Sequence, residues 1–210
     1  MSANLHKKCY KAVQTVLEML ADRRYVVEKA TLGIAGERNL ELFSDGMHRE
    51  KDIFFKAISR SKKRAAQHPP ICVSIITCEE KVGVKTVRGI VERCQNQYGT
   101  QHLLIVYIEN ITPFAQKELK NSFPDISTEF FRLDELQYNI TKHVIVPNFK
   151  VMKKSERLNL LQTVALRDLP RMLTTDPVSR YYNWKRGTIV FAECHSIRGH
   201  TYTEYRVIVV

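Results

Sequence analysis

The chain has 210 residues, of which 44% are hydrophobic, and this is enough to bury the core of one large domain or of two small ones. That apolar content excludes wholesale disorder, and no apolar run approaches the roughly 18–20 residues that a membrane-spanning helix needs. The formal net charge of +11 favours a polyanionic partner, such as nucleic acid, an acidic membrane surface or an acidic protein.

Positive charge is concentrated towards the two ends of the chain. Residues 71–150 carry equal numbers of basic and acidic side chains, whereas residues 1–70 and 151–210 both carry an excess of basic ones. The N-terminus lacks the charged-then-apolar pattern of a secretory signal. We therefore expect a soluble intracellular protein.

The cysteine pattern argues against a disulfide framework and against a zinc site. None of the five cysteines belongs to a Cys-x-x-Cys pair, and their number is odd. Reduced thiols in a cytosolic or nuclear protein fit this pattern. We expect neither a metal nor a cofactor.

The first third of the chain begins with a predicted amphipathic helix over residues 5–22, where apolar side chains recur at spacings of three and four. Residues 25–27 then predict a short extended segment, and residues 31–50 predict loops with a short helix. The basic run RSKKR at residues 60–64 is typical of a solvated face. A nuclear-targeting or nucleic-acid-contacting role for this run remains the alternative.

From residue 71 the pattern predicts alternating strands and helices. Apolar, β-branched runs predict strands over residues 71–77 and 103–108, and a third strand is predicted over 127–131. Residues 84–97 predict a helix between the first two strands, and Thr112 followed by Pro113 predicts the start of a second helix. This order predicts a three-layer α/β domain with a largely parallel sheet.

A second, smaller α+β domain is predicted after a boundary near residues 142–147. Residues 155–164 predict a short helix that buries Leu158, Leu161 and Val164 on one side. Two strands are predicted over residues 188–193 and 202–210. The second strand alternates in a way that predicts one buried face.

The stretch from Asp176 to Gly187 predicts a capped helix followed by a basic turn. Asp176 is a suitable N-cap, Pro177 suits the first helical position, and Gly187 can adopt a positive φ. The aromatic and basic side chains that follow either pack in the core, which we favour, or form a stacking platform for single-stranded nucleic acid. They are Tyr181, Tyr182, Trp184, Lys185 and Arg186.

No cluster of residues predicts catalysis. Cys194 and His195 are adjacent on a predicted strand, so their side chains diverge and do not suggest a metal site. Glu79, Glu80 and nearby lysines could form a nuclease-like cluster, but the D-x-x-x-E-x-K spacing is absent. A salt-bridged strand end is the favoured interpretation.

Several ordered motifs resemble one family, the fifth-largest common subunit of eukaryotic DNA-directed RNA polymerases. The stretch DPVSRYYNWKRG at residues 176–187 resembles the family's D-P-V-A-R-Y and K-R-G motifs, and residues 169–172 resemble its L-P-R-I motif. Upstream, residues 81–86 resemble V-G-[IV]-K-T, residues 110–115 resemble the T-P-S-A loop, and residues 140–147 resemble the family's hinge. The C-terminal part of the family corresponds to the whole of one small subunit of archaeal RNA polymerases.

The resemblance implies a non-catalytic subunit with two domains. Residues 1–143 would form a nuclease-like jaw domain beside downstream double-stranded DNA, and residues 144–210 would form an assembly domain that docks on the largest polymerase subunit. No membrane and no small-molecule substrate are implied. The residues implied nearest to DNA are Thr112, Pro113, Phe114 and Ala115. The residues expected at the partner interface are Pro170, Arg171, Asp176, Pro177, Arg180, Tyr181, Lys185, Arg186, Gly187, Tyr205 and Arg206.

Departures from the family pattern predict a diverged isoform. Phe114 stands where the family has a small serine, so that either its contact with DNA is altered or its ring packs inward. Cys194 and Ile197 replace an arginine and a glutamate of the family. We expect an isoform dedicated to one nuclear polymerase, in the nucleolus if that is polymerase I. The alternatives are a nuclease-derived DNA-binding protein and an adaptor outside the polymerase.

Overall fold

A computed structural model of the chain describes residues 3–27, 53–60, 69–77, 81–195 and 200–210. Contacts divide the chain into two compact units, Met1–Tyr138 and Asn139–Val210. The predictions made for residues 31–50, for most of the basic run at 60–64, for Glu79 and Glu80 and for Ile197 lie outside the described residues. No helix in the described ranges is long and apolar enough to cross a membrane.

The N-terminal unit alternates helices with strands. In chain order, its described elements are α1 (Ala3–Asp22), β1 (Tyr25–Val27), β2 (Ile53–Ser59), β3 (Ile71–Ile75), α2 (Val84–Tyr98), β4 (His102–Tyr107), α3 (Pro113–Ser122), β5 (Ser127–Arg132) and a short 3₁₀ helix (Leu133–Leu136). The described strands form one sheet in the order β1-β2-β3-β4-β5. Every element predicted between residues 71 and 131 is present.

The sheet is mixed, which corrects the prediction of a largely parallel one. The three predicted strands β3, β4 and β5 are parallel, as expected, but β1 and β2 add two antiparallel pairs. β2 was not predicted because Lys56 interrupts its apolar residues, which leaves neither a long apolar run nor an alternation with polar residues. The Lys56 ammonium donates to the backbone carbonyl of Tyr98 at 3.3 Å.

Helices cover both faces of the central strands, so the domain has the three predicted layers. Cys72, Leu103 and Ile105 share one core cluster with buried residues of α2 and α3. The alternate residues Val73 and Leu104 point to the opposite face and are also fully buried. That face meets α1, which contacts β1 and the 3₁₀ helix after β5.

A buried ionic cluster joins the end of α1 to β5. The Arg23 guanidinium donates to both carboxylate oxygens of Glu129, at 3.0 and 2.8 Å, and Nε2 of His102 donates to Oε1 at 2.6 Å. The side chains are only 5%, 12% and 10% exposed for Arg23, Glu129 and His102. Burial by itself raises the pKa of Glu129, but the hydrogen bond from His102 and the charge of Arg23 outweigh it and lower this pKa to about 2.

This lowered pKa predicts a specific loss of stability in acid. Because the folded-state pKa of Glu129 lies below its ordinary value of 4.5, its ionised form stabilises the fold at higher pH, and this contribution is lost as pH falls from about 4.5 towards about 2. Chemical denaturation across that window should show a steeper loss of stability for the wild type than for Glu129→Gln. If the free energy of unfolding fell equally steeply with pH for the two proteins, the lowered pKa of Glu129 would be contradicted.

The C-terminal unit is a small α+β domain, as predicted. Its described elements are a 3₁₀ helix (Ile140–Lys142), β6 (Lys150–Val151), α4 (Lys154–Thr163), a 3₁₀ helix (Leu166–Asp168), β7 (Arg171–Leu173), α5 (Pro177–Tyr182), β8 (Ile189–His195) and β9 (Thr201–Val209). The sheet order in the described ranges is β6-β8-β9-β7, in which only the β7–β9 pair is parallel.

Both faces of the C-terminal half of β9 are buried, although the alternation predicted only one buried face. Val207 belongs to a core cluster against which Tyr205, Val209 and residues of α4 pack, whereas Ile208 belongs to a second cluster with Val178 of α5. The two helices therefore lie against opposite faces of the sheet. Leu158 is 57% exposed, which contradicts its predicted burial.

Candidate interaction sites

The N-terminus of α3 is built by a capping residue and anchored to the neighbouring loop. Thr112 Oγ1 accepts a hydrogen bond from the Ala115 amide at 3.3 Å, which confirms the predicted N-cap. The Thr112 amide in turn donates to the carbonyl of Val82 at 3.2 Å. These bonds hold the turn close to the edge at which the parallel strand β4 ends.

The four residues implied nearest to DNA differ in accessibility. Phe114 is 69% exposed, so its ring does not pack inward within this unit, and Pro113 is exposed as well. Ala115 is fully buried, which leaves it no surface for contact with DNA. Since the Thr112 hydroxyl is engaged by Ala115, the Phe114 amide is the first-turn donor without a partner in the described part of the chain.

The N-terminus of helix α5 is capped as its sequence predicts. Asp176 Oδ1 accepts a hydrogen bond from the Val178 amide at 2.8 Å, and Pro177 is the first helical residue. Gly187 has a φ of 80°, as predicted for the turn. The C-cap is Asn183, with a φ of 53°, which the sequence reading missed even though asparagine is among the residues that tolerate this conformation.

The aromatic residues of this stretch belong to the core, as favoured. Tyr181 is 3% exposed, and its hydroxyl accepts a hydrogen bond from Asn139 Nδ2 at 2.9 Å. The rings of Tyr182 and Trp184 stack at 4.8 Å and pack against the core that contains Val178. The burial of Tyr181 contradicts its predicted direct contact with a partner, because packing against Asn139 and the core leaves no exposed ring.

The middle of β9 brings several predicted interface residues together. The Val207 amide donates to the carbonyl of Pro170 at 2.8 Å, and the Gly187 amide donates to the carbonyl of Ile208 at 2.8 Å. The basic segments that include Pro170 and Gly187 therefore lie beside the same part of β9. We call the exposed cations Arg171, Lys185 and Arg186 the basic docking surface.

The charges of the basic docking surface are largely free. Neither Arg171 nor Arg186 has an ion-pair partner in the described ranges, and Lys185 Nζ donates to Asn183 Oδ1 at 2.9 Å. Pro170 and Pro177 are exposed as well, while Asp176 and Arg180 are half-buried. The surface therefore combines a rigid backbone with cations that can meet acidic groups.

The two predicted residues of β9, Tyr205 and Arg206, point to opposite faces of the sheet. Tyr205 packs on the cluster at α4, whereas the Arg206 guanidinium lies 5.1 Å from the ring centre of Phe149. Arg206 also forms an ion pair with Glu204 at 2.7 Å. Glu204 was missed, although its position two residues before Arg206 places both on one face of the strand. The contact of Arg206 with Phe149 was missed as well, because no local sequence pattern predicts it.

Metal-binding groups are not found in the parts of the chain that the structure describes, where no three histidine, cysteine or acidic side chains come together. The described cysteines Cys9, Cys72, Cys94 and Cys194 are free thiols. The carboxylate of Glu204 lies 3.7 Å from the Cys194 sulfur.

Comparison with known sequence families matches the two units to two domains of the same protein. Residues 4–94 match the family described as "RNA polymerase Rpb5, N-terminal domain", and residues 138–208 match the family described as "RNA polymerase Rpb5, C-terminal domain". The two matches occur in the order that the resemblance predicts.

Individual relatives align over most of the chain. The chain is 32% identical to "DNA-directed RNA polymerases I, II, and III subunit RPABC1" of Caenorhabditis briggsae over 93% of both chains. It is 31% identical to "DNA-directed RNA polymerase V subunit 5C" of Arabidopsis thaliana, over 88% of this chain and 76% of that protein. Identity to "DNA-directed RNA polymerases I, II, and III subunit rpabc1" of Dictyostelium discoideum is 29%, over 93% of this chain and 94% of that protein. The similarity thus extends over both compact units.

Proposed function

The chain belongs to the RNA polymerase Rpb5 family, and from this premise we propose that it is a non-catalytic subunit of a nuclear DNA-directed RNA polymerase. The observation that carries the proposal is the similarity to relatives named as polymerase subunits, which extends over 93% of the chain for the Caenorhabditis briggsae protein. Matches to both domain families in sequence order support it. Its partners in this proposal are the other polymerase subunits.

In this proposal the C-terminal domain, residues 144–210, docks on the largest polymerase subunit. The basic docking surface supports this role, because exposed cations without internal ion pairs can meet acidic groups of a partner without breaking an existing ion pair. The capped helix α5 and the backbone bonds of Pro170 and Gly187 to β9 hold that surface in place before binding. A preformed surface keeps the entropic cost of docking small.

The N-terminal domain, residues 1–143, lies in this proposal along downstream double-stranded DNA, with the start of α3 nearest to it. The helix N-terminus supports this placement, because its partial positive charge and the Phe114 amide can receive a phosphate oxygen. Such a contact positions DNA without reading its sequence. We also propose that this domain is a nuclease-like core without catalytic function, an idea supported by its three parallel strands between layers of helices.

Replacing Phe114 tests the proposed DNA contact. Phe114→Ser introduces the hydroxyl of the family pattern at an exposed position, so we expect stability to change by less than about 0.5 kcal/mol. We expect the chain to bind a short DNA duplex about two- to fivefold more tightly, because one hydrogen bond to phosphate contributes about 0.5–1 kcal/mol. Fluorescence anisotropy at one fixed salt concentration measures this. Phe114→Ala is the control, and equal affinities for the two variants would contradict a role for the hydroxyl.

We further propose that the chain serves one nuclear polymerase, and that it resides in the nucleolus if this is polymerase I. The exposed Phe114 supports this, and so does Cys194, which lies beside Glu204 where the family pattern has an arginine. Relatives named for three polymerases and for polymerase V alone have nearly equal identities to the chain, 32% and 31%. Divergence into a dedicated subunit is therefore compatible with the family.

Affinity purification of the tagged chain from cells of its source tests both levels of the proposal. We expect the catalytic polymerase subunits to co-elute, with a single kind of largest subunit among them. Recovery of the largest subunits of all nuclear polymerases would overturn the dedicated role and leave the subunit role intact. Purification without any catalytic subunit would overturn the subunit role and favour the adaptor alternative. Robust metal-dependent DNA cleavage by the pure chain would favour the nuclease alternative.

A further inference from the structure

A cavity of about 230 Å³ lies between strands β2 and β3 and the helix α2 of the N-terminal unit. Its inner end is formed by Ser74, which is fully buried, and its outer end by exposed residues of the helix. Its size suits a small molecule or a single side chain. The lining residues are Phe54, Ser74, Thr86, Gly89, Ile90 and Arg93.

The Ser74 hydroxyl is an unmet hydrogen-bonding group at the inner end of this cavity. Its side chain is fully buried, and Oγ has no hydrogen-bond partner among the described residues. Ser74 is the direct cross-strand neighbour of Phe54, so both side chains point towards α2. Buried polar groups in native proteins are almost always paired, and a bound polar atom would pair this one.

Gly89 keeps the outer end of the cavity open. It lies inside α2, where glycine is less favourable than alanine, and a Cβ added there would meet no atom within 4 Å. Neither close packing nor a positive φ requires glycine at this position. The lack of a side chain instead leaves space above Ser74, between Thr86 and Arg93.

The chemistry of the lining matches an organic anion. The Arg93 guanidinium lies 4.6 Å from the ring centre of Phe54, and its Nε donates weakly to Gln97 Oε1 at 3.4 Å. None of the lining residues is acidic, so this cation is not neutralised inside the cavity. The Phe54 ring is held in place by stacking on Tyr98 at 5.5 Å and forms an apolar wall.

We propose that this cavity binds a short-chain carboxylate. Its anionic head is held by Arg93 and the Ser74 hydroxyl, and its apolar stem lies against Phe54 and Ile90. A guanidinium binds a planar carboxylate through two parallel hydrogen bonds. The ligand is either a free organic acid or the carboxylate side chain of a bound protein segment. This inference is independent of the polymerase assignment, since it uses only the geometry of the cavity.

Titration of the isotopically labelled full chain, followed by NMR, tests the proposal with defined probes. With butyrate we expect saturable shifts of the amides of Ser74, Gly89 and Arg93, and at least about tenfold weaker binding of the neutral isostere butyramide. Binding of N-acetylglutamate N-methylamide as well would assign the site to a protein side chain, whereas binding of butyrate alone would assign it to a free acid. Absence of saturable shifts, equal binding of butyramide, or equal binding of inorganic phosphate would overturn the proposal.

Variants of the lining residues separate binding from folding. Arg93→Gln and Gly89→Leu should abolish the butyrate shifts, because one removes the charge and the other fills the cavity. Lys85→Gln changes an exposed cation of the same helix outside the cavity and should leave the shifts unchanged. Equal effects of the Arg93 and Lys85 changes would overturn the proposal.

Ser74→Ala tests whether the Ser74 hydroxyl contributes to ligand binding. It deletes an unpaired buried hydroxyl, so without butyrate Tm should stay the same or rise, while butyrate binding should weaken several-fold. A clear fall in Tm together with unchanged butyrate binding would overturn the proposal, since a trapped water then satisfies the hydroxyl.

Discussion

Replacing Arg23 by methionine should destabilise the N-terminal unit by about 3–5 kcal/mol, the cost of removing one partner of a buried ion pair. Arg23 and Glu129 are joined by two hydrogen bonds, and their side chains are 5% and 12% exposed. Methionine is similar in length and apolar, so it fills much of the same volume and deprives the carboxylate of its guanidinium partner. The measurement is chemical denaturation followed by circular dichroism at pH 7. Hydrogen exchange of the amides of β4 and β5 locates the effect.

Two further variants show whether the unpaired charge causes this loss. Arg23→Met combined with Glu129→Met removes both charges and should recover most of the stability, since an apolar pair can replace a buried ion pair at little cost. Arg88→Met breaks the more exposed pair of Arg88 with Glu118 and should cost much less stability, because solvent screens that pair. If the double variant were as unstable as Arg23→Met, lost packing rather than the unpaired carboxylate would be the cause.

Reversing the charge of Arg186 should weaken incorporation of the chain into the polymerase by about tenfold or more. A like charge placed against a complementary partner surface costs roughly 1.4 kcal/mol or more, which corresponds to that factor. Arg186 is exposed and without an ion-pair partner in the described chain, so Arg186→Glu should leave the stability of the free protein within about 0.5 kcal/mol. Competition between tagged wild type and variant for assembly in cells measures the difference.

The matched control is Arg157→Glu, which reverses an exposed cation on α4 of the same unit. It makes the same change in net charge outside the basic docking surface, so incorporation should remain at the wild-type level. DNA binding by the isolated chain should change less than incorporation for Arg186→Glu. Unchanged incorporation of Arg186→Glu would remove Arg186 from the docking surface, and equal loss for both variants would indicate a general effect of charge.

Local features of the structure were predictable because neighbouring residues encode them. Asp176 and Thr112 accept hydrogen bonds from amides two and three residues later, and Gly187 adopts its positive φ within a single turn. The β-branched runs of β3 and β4 identify strands buried on both faces without reference to other parts of the chain. Order and spacing of such motifs also sufficed to identify the family.

Contacts between distant residues were not predictable in this way. Arg23 and Glu129 are 106 residues apart, and nothing around either of them specifies the other. Lys56 interrupts the apolar character of β2, and its carbonyl partner belongs to α2, 42 residues later. The cavity at Ser74 likewise depends on a glycine that only the packing of α2 places above it.

The sequence by itself determined the family, the N-caps of α3 and α5 and the parallel strands, since hydrogen bonds and steric preferences within a few residues specify these local features. Only the tertiary structure decided which motif residues remain accessible. Within single motifs, Phe114 is exposed beside the buried Ala115, and Arg186 is exposed five residues after the buried Tyr181. Burial depends on which distant segments pack against a residue, and that information is spread over the whole chain.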